Sequence, residues 1–354
     1  MTQGGATRMT RTTMMISILA AGAAGVCAAP AWAETLPVSA VYAAEQDAPS
    51  EFQTIVVERF DGNEGTKFAL ALRNAIARAR IDGEDYFEVR RDSAPGEDAG
   101  QTAWINGTAF TEVERLQAGT TEERKCVRRD DDDKCVQYRT YTYSCSELSV
   151  RFTGEVQMLD AREELAYDRS FSTVDSKRYC RNESSVPSTS DMVTGMVDRF
   201  AWQVRRDLAP IQRHEDIRVL ESRKDMDKPL RKPFKKALRL TKSNWEAACS
   251  EFERLNKAQP RHITLTFNTG LCREAVGDLD GAEELYDLTL ELEAGKDYPT
   301  AGLSRIASRR RAAEQLAIHY GEPEAEHLAD GDRDPGKPVR DSETAEGLSS
   351  ASTS

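Results

Sequence analysis

Histidine is scarce in this chain, with four among 354 residues. They stand at 214, 262, 319 and 327, too scattered for any two to have metal-ligand or triad spacing. Long apolar runs are missing as well: beyond the first thirty or so residues nothing approaches the roughly 20 apolar residues that span a bilayer. No Gly-x-Ser-x-Gly elbow, phosphate-binding loop or dinucleotide fingerprint occurs, so the sequence nominates no catalytic residue, no cofactor and no metal site. Positive charge is in deficit, with 48 Lys and Arg against 60 Asp and Glu for a net charge of −12. Nucleic acid and anionic lipid surfaces are bound through clustered Lys and Arg, and an acidic balance argues against both as partners.

What is present begins with export. Arg8 and Arg11 precede an apolar run over residues 14–29, and Ala31, Trp32 and Ala33 form a small-x-small end. This pattern predicts a secretory signal peptide over 1–33, cut before Glu34. The predicted signal carries two cations and no acid, so its removal takes the net charge from −12 to −14. Cys27 follows Val26, whereas lipoprotein signals resemble one another in placing a small residue there. Six cysteines remain after cleavage, at 126, 135, 145, 180, 249 and 272. An even number in an exported protein reads as disulfides. Zinc is the alternative for Cys126, Cys135, Cys145 and Cys180, but their spacings lack the short pairs of structural zinc sites. Cys249 and Cys272 fall on neighbouring predicted helices, where a bridge and two small buried side chains are both consistent readings.

Residues 34–51 are poor in large apolar side chains and read as a flexible lead-in. Residues 52–60 form a β-branched strand followed by turn residues at 61–63. Phe68, Leu72, Ala75, Ile76 and Ala79 then mark one face of a helix. Phe87 and Val89 lie on a second strand and residues 104–114 make a third. In the fourth, Leu148, Val150, Phe152, Gly154, Val156 and Met158 alternate with polar residues. A turn at 160–164 leads back through 165–173. Symmetric pairing about that turn puts Met158 opposite Tyr167, Gly154 opposite Phe171 and Cys145 opposite Cys180. Cys126 is then left to pair with Cys135 across the acidic run at 130–133. That run lacks the alternating pattern of a calcium loop and reads as a solvated tip; with Lys134 it resembles the enteropeptidase recognition string. A second helix, capped near Ser190, buries Val193, Val197, Phe200, Ala201, Val204 and Leu208, with Trp202 also read as core. Ile217 and Val219 suggest a last strand. The expected fold is α+β: a mixed-sheet α/β sandwich over 52–220, in the order strand, helix, four strands, helix, strand, followed by an all-α module.

The helical pattern runs over residues 222–320 and contains an internal repeat. Ala248 and Phe252 recur 34 residues later as Ala282 and Tyr286, with Gly270 twelve residues before Ala282 and Pro260 eight after Phe252. Residues 229–294 thereby resemble the tetratricopeptide repeat, in which small residues let antiparallel helices approach. Lys236 and Leu316 stand where small residues would continue the pattern, so the flanking helices look like caps. Residues 321–354 are acidic, with almost nothing apolar, and read as a disordered tail.

The segments TIVVERF at 54–60, RNAIARA at 73–79 and FEVR at 87–90 give the first domain a resemblance to the periplasmic α/β domain of the curli secretion-channel subunit, the activators of penicillin-binding proteins and the amino-terminal domain of the Tol translocation protein. The resemblance implies placement in the cell envelope and protein–protein contact, and brings no catalytic residues. The expected function is an exported envelope binding or scaffold protein, periplasmic or peripherally associated with the outer membrane, whose helical module presents a groove to a protein partner. The alternatives are a ring-forming component of a secretion or assembly apparatus, and an envelope hydrolase.

Overall fold

The computed structural model describes residues 34–91 and 99–321. The signal peptide expected at 1–33, and the tail from 322 onward, lie outside the described residues. The fold is α+β. A first strand, β1 (Thr35–Tyr42), precedes β2 (Thr54–Asp61), helix α1 (Gly65–Ile76), a miniature hairpin of β3 (Arg80–Ile81) and β4 (Glu84–Asp85), and β5 (Glu88–Arg90). Three long strands follow: β6 (Thr102–Arg129), β7 (Cys135–Leu159) and β8 (Leu165–Cys180). Helix α2 (Thr189–Leu208) and β9 (Ile211–Arg218) complete the β-containing part, and α3 (Arg231–Leu240), α4 (Trp245–Ala258), α5 (Ile263–Val276), α6 (Leu279–Leu292) and α7 (Asp297–Tyr320) form the helical part.

The main sheet has the order β5-β2-β6-β7-β8, with β2 parallel to both neighbours and the β6-β7-β8 meander antiparallel. One face is covered, by α1 over β2 and β6 and by α2 over β7 and β8. Strict alternation along β7 aims Leu148, Val150, Phe152, Val156 and Met158 into this core, while Arg151, Glu155 and Gln157 stay exposed on the other face. Facing residues along β7 and β8 include Met158 with Tyr167, Gly154 with Phe171 and Cys145 with Cys180. Gly154 is glycine because of a close approach: a Cβ there would sit 2.7 Å from the Phe171 ring, which stacks 4.0 Å from Phe200. Phe200 is buried as its helical phase requires, but Trp202, expected in the core, is 42% exposed. Its position two residues on turns it out of the α2 face that meets the sheet.

Two expectations change here. Residues 35–42 are no loose lead-in, since β1 pairs with β9 along its whole length, Leu36 facing Ile217 and Tyr42 facing Ile211. The last strand expected in the main sheet accordingly lies outside it, in this separate two-stranded ribbon. The cause is the helical part. Leu36 and Val38, both at 0% exposure, belong to one apolar cluster with Phe234, Phe252, Phe267, Tyr286 and Ile306.

The helices stack as two antiparallel pairs, α3 with α4 and α5 with α6, closed by the long α7. Gly270 and Gly302 admit the Tyr286 ring between α5 and α7. Below it, Glu274 is fully buried, accepts from the Tyr286 hydroxyl at 2.6 Å and accepts from Arg305 Nε and Nη2, each at 2.7 Å. This charge is tolerable in the interior because it is paired and hydrogen-bonded. β1 lies across α5 and α7, so the surface expected to form an open groove is occupied by the chain's own ribbon. Asn268 on α5 holds the Leu220 backbone through both its amide atoms, at 2.8 and 2.9 Å. Gln315 on α7 accepts from the Ala44 N–H at 2.8 Å and donates to the Ala44 and Gln46 carbonyls. His319 stacks on Tyr86 with ring centres 3.9 Å apart and donates Nε2–H to the Tyr86 carbonyl. The helical part is thus fastened to the first domain by polar pairs buried at the seam.

Candidate functional site

The feature that serves no core is the outer half of the β6–β7 hairpin. From 110 to 144 no residue is buried, yet strand pairing continues to Arg129 and Cys135. β2 stops pairing with β6 at Thr108, and β8 stops pairing with β7 at Cys145. Past those points no third strand pairs with them, and the ribbon from Thr120 to the tip extends roughly 30 Å at the strand rise per residue. Between Thr121 and Tyr143 both outer edges of the ribbon lack a neighbouring strand among the described residues, the condition under which another strand is accepted.

Sequence reading gave the third strand residues 104–114 and the fourth a face from Leu148 to Met158, read the acidic run at 130–133 as a solvated tip, and assigned no strand to most of the segment between. A ribbon that buries nothing needs no apolar period, which removes the main signal for strands. Weaker signs are present: Thr and Tyr alternate over 140–143, and Val127 and Val136 flank the tip.

Local chemistry holds the arm in shape. At its tip, Asp130 Oδ1 accepts the backbone N–H groups of Asp132 at 3.1 Å and Lys134 at 2.8 Å, and Asp133 takes a left-handed conformation with φ 61°. The inner hairpin turn repeats this arrangement, with Asp160 Oδ1 accepting from Arg162 and Glu164 and Glu163 at φ 62°. Those backbone hydrogen bonds hold the Asp160 carboxyl below the usual range, the Glu164 N–H contributing most. An aspartate that folds back on its own amides builds the turn in both places. Asp130 is therefore committed to the turn, and Asp131, Asp132 and Asp133 are left exposed around it.

Disulfides brace the arm at both ends. Cys126 bonds Cys135 just behind the tip, and Cys145 bonds Cys180 at the base, where both half-cystines are buried. The third bond joins Cys249 on α4 to Cys272 on α5. With all six cysteines bonded, none is a thiolate ligand for the zinc alternative. Three disulfides match the chemistry of an exported protein. At the base, Arg178 from β8 donates to the carbonyls of Ala118 and Thr120, and Asn182 donates to Glu123 at 3.1 Å.

The arm surface mixes cations with exposed apolar groups. The Arg124 guanidinium lies 4.1 Å over the Tyr138 ring and Lys125 lies over Tyr143. Hydrogen bonds from Asn182 and then Lys125 hold the Glu123 carboxyl below its ordinary range. Leu116, Val127, Val136 and Tyr138 are all exposed. Side chains of this kind, on a braced ribbon with free edges, suit binding to another polypeptide better than chemistry. Among the described histidines, His319 is at the domain seam, His262 binds the Lys224 carbonyl at 2.8 Å, and His214 meets Ser39 on the β1–β9 ribbon; none of these three approaches the arm. His327 lies outside the described residues.

No family model matches this chain, and no curated protein does. Among solved structures, a neuraminyllactose-binding hemagglutinin homologue from Helicobacter pylori is 8% identical, with an alignment covering 46% of this chain and 82% of that one at a TM-score of 0.24. A likeness at that level carries no argument. Among the described residues, no helix is long and apolar enough to cross a membrane.

Proposed function

We propose that this is an exported envelope binding or scaffold protein that engages a protein partner through the β6–β7 arm. The observation that carries the reading is the arm itself: ordered strands over residues 110–144 in which no residue is more than partly buried, braced by a disulfide at each end. Ordering a backbone costs about 1–2 kcal/mol per residue, and here only partial burial within the chain offsets it. A partner strand laid against either free edge would gain main-chain hydrogen bonds, with Leu116, Val127, Val136 and Tyr138 as side-chain contacts. The resemblance of residues 52–220 to envelope domains, and of 229–294 to tetratricopeptide repeats, supports the same setting, in the periplasm or at the periphery of the outer membrane. The helical module then acts as the mount, since β1 covers its inner face and leaves the arm as the contact surface.

The test is site-specific photo-crosslinking in cells from Tyr138 and, as a control, from Trp202 on α2. The reading requires a discrete crosslinked partner from Tyr138 and none from Trp202; equal or absent products from both positions would remove it. The free edges also favour a second reading, a ring-forming assembly component in which the arm meets a neighbouring copy. Light scattering on the mature protein separates the two, because a ring requires a closed oligomer.

A further inference from the structure

The net charge argues against anionic surfaces, but it is an average over the whole molecule, and α3 departs from it. Arg231, Lys232, Lys235, Lys236 and Arg239 occupy half of this ten-residue helix, which carries no acid. All five are exposed. At 100° per residue they cover roughly 140° of its circumference, on the side away from the buried Phe234, Ala237 and Leu238. Lys228 and Lys242 extend the stripe at either end, and between residues 223 and 242 nine Lys and Arg stand against two aspartates.

Their neighbours do not neutralise them. Among the described residues, Lys232, Lys235 and Arg239 have no ion-pair partner. Arg231 donates to the Met226 carbonyl, and Lys242 alone of the stripe pairs with a carboxylate, Glu34 at 3.2 Å. Glu251, the acid on α4 that Lys236 influences, is itself bound by Arg254 at 2.6 Å. Helix α3 is the outermost of the stack and packs on α4, which leaves the basic side uncovered.

We infer that the basic face of α3 is a docking surface for an anionic phospholipid membrane, which holds the protein peripherally against the envelope. Three observations favour lipid headgroups over an acidic protein. The face is the outward side of a single helix, with all five cations exposed; no large apolar side chain is exposed among the cations to anchor a protein interface; and the cations form a continuous array of one sign. Screening explains why the acidic remainder does not cancel it. The Debye length is about 8 Å at physiological salt, shorter than the roughly 15 Å length of the helix, so a surface touching α3 responds to these charges and little to those on the far side. Without an apolar wedge, binding is electrostatic and reversible.

The test is co-sedimentation of the full mature chain with vesicles of equal phosphatidylethanolamine and phosphatidylglycerol, and with phosphatidylcholine vesicles. The expected result is binding to the first, none to the second, and release by added salt. The triple variant Lys232→Gln, Lys235→Gln, Arg239→Gln changes exposed positions only and should bind on the order of 100-fold more weakly, at about fivefold per cation, with an unchanged melting temperature. Should the triple variant melt early, Lys235→Glu alone gives the same comparison. Equal binding to both vesicle types, no binding, or an α3 variant that binds as tightly as the parent overturns the inference. The arm variant Cys126→Ser/Cys135→Ser should sediment like the parent, so loss of partner crosslinking and loss of vesicle binding fail separately.

Discussion

Removing the disulfides one at a time asks whether the arm belongs to the cooperative fold. Cys145–Cys180 closes a loop with a sequence separation of 35, and the hairpin inside it carries Phe152, Val156, Met158 and Phe171 against the core. Loop-closure entropy for that length gives about 3.8 kcal/mol of stability. For Cys126–Cys135, with a separation of 9, the same relation gives about 2.6 kcal/mol. That second figure applies only if the arm unfolds together with the core. No residue of 110–144 is more than partly buried, so the arm can open alone, and the tip bond then restrains local opening without entering the global equilibrium. The expected outcome in urea titrations is a loss of roughly 3–4 kcal/mol for Cys145→Ala/Cys180→Ala and less than about 0.5 kcal/mol for Cys126→Ser/Cys135→Ser. Enteropeptidase gives a second reading: it should cut after Lys134 on the exposed tip, the pieces should stay joined by Cys126–Cys135 until reduced, and the global urea midpoint should barely move. A tip variant that destabilises as much as the base variant would refute the argument, since it would make the arm part of the core's cooperative unit.

Three further outcomes follow from the seam and the helical part. Leu36→Ala should cost about 2–5 kcal/mol in urea unfolding, the range for emptying a buried leucine site; a neutral result would mean that β1 does not hold the helices. Glu274→Gln keeps the shape but leaves Arg305, 16% exposed, without its counter-charge. It should destabilise by about 3–5 kcal/mol, and an unchanged thermal midpoint would contradict the buried pair. Burial pushes the His319 imidazole below its ordinary pKa, so the folded protein keeps it neutral where the unfolded chain, titrating near 6.5, takes up a proton. Its contribution is therefore present above about pH 6.5 and lost as pH falls below it; urea midpoints at pH 7.5 and 5.5 should diverge less in His319→Asn, and equal divergence in both proteins would rule this site out as the source.

What the sequence by itself determined is whatever buries a periodic face. The strict alternation of β7 from Leu148 to Met158, the 3.6-residue phase of Phe68, Leu72 and Ile76, and that of Val193, Val197 and Val204 each specify which side of an element meets the core, and those side chains are buried in the structure. The register of β7 against β8 was equally legible, because a hairpin with a short turn leaves little freedom in pairing. Only the tertiary structure decided the rest. β1 has Leu36 and Val38 as its fully buried aliphatic residues, and its partner β9 lies more than 160 residues away, so no local pattern announces it. Trp202 required knowing where the α2 face ends. The covered inner face of the helical module depended on β1, and so was closed to any reading that took residues 34–51 as loose. The arm escaped for the opposite reason: strands exposed on every side have no hydrophobic period, and backbone pairing, which any sequence of suitable β propensity can make, is all that defines them.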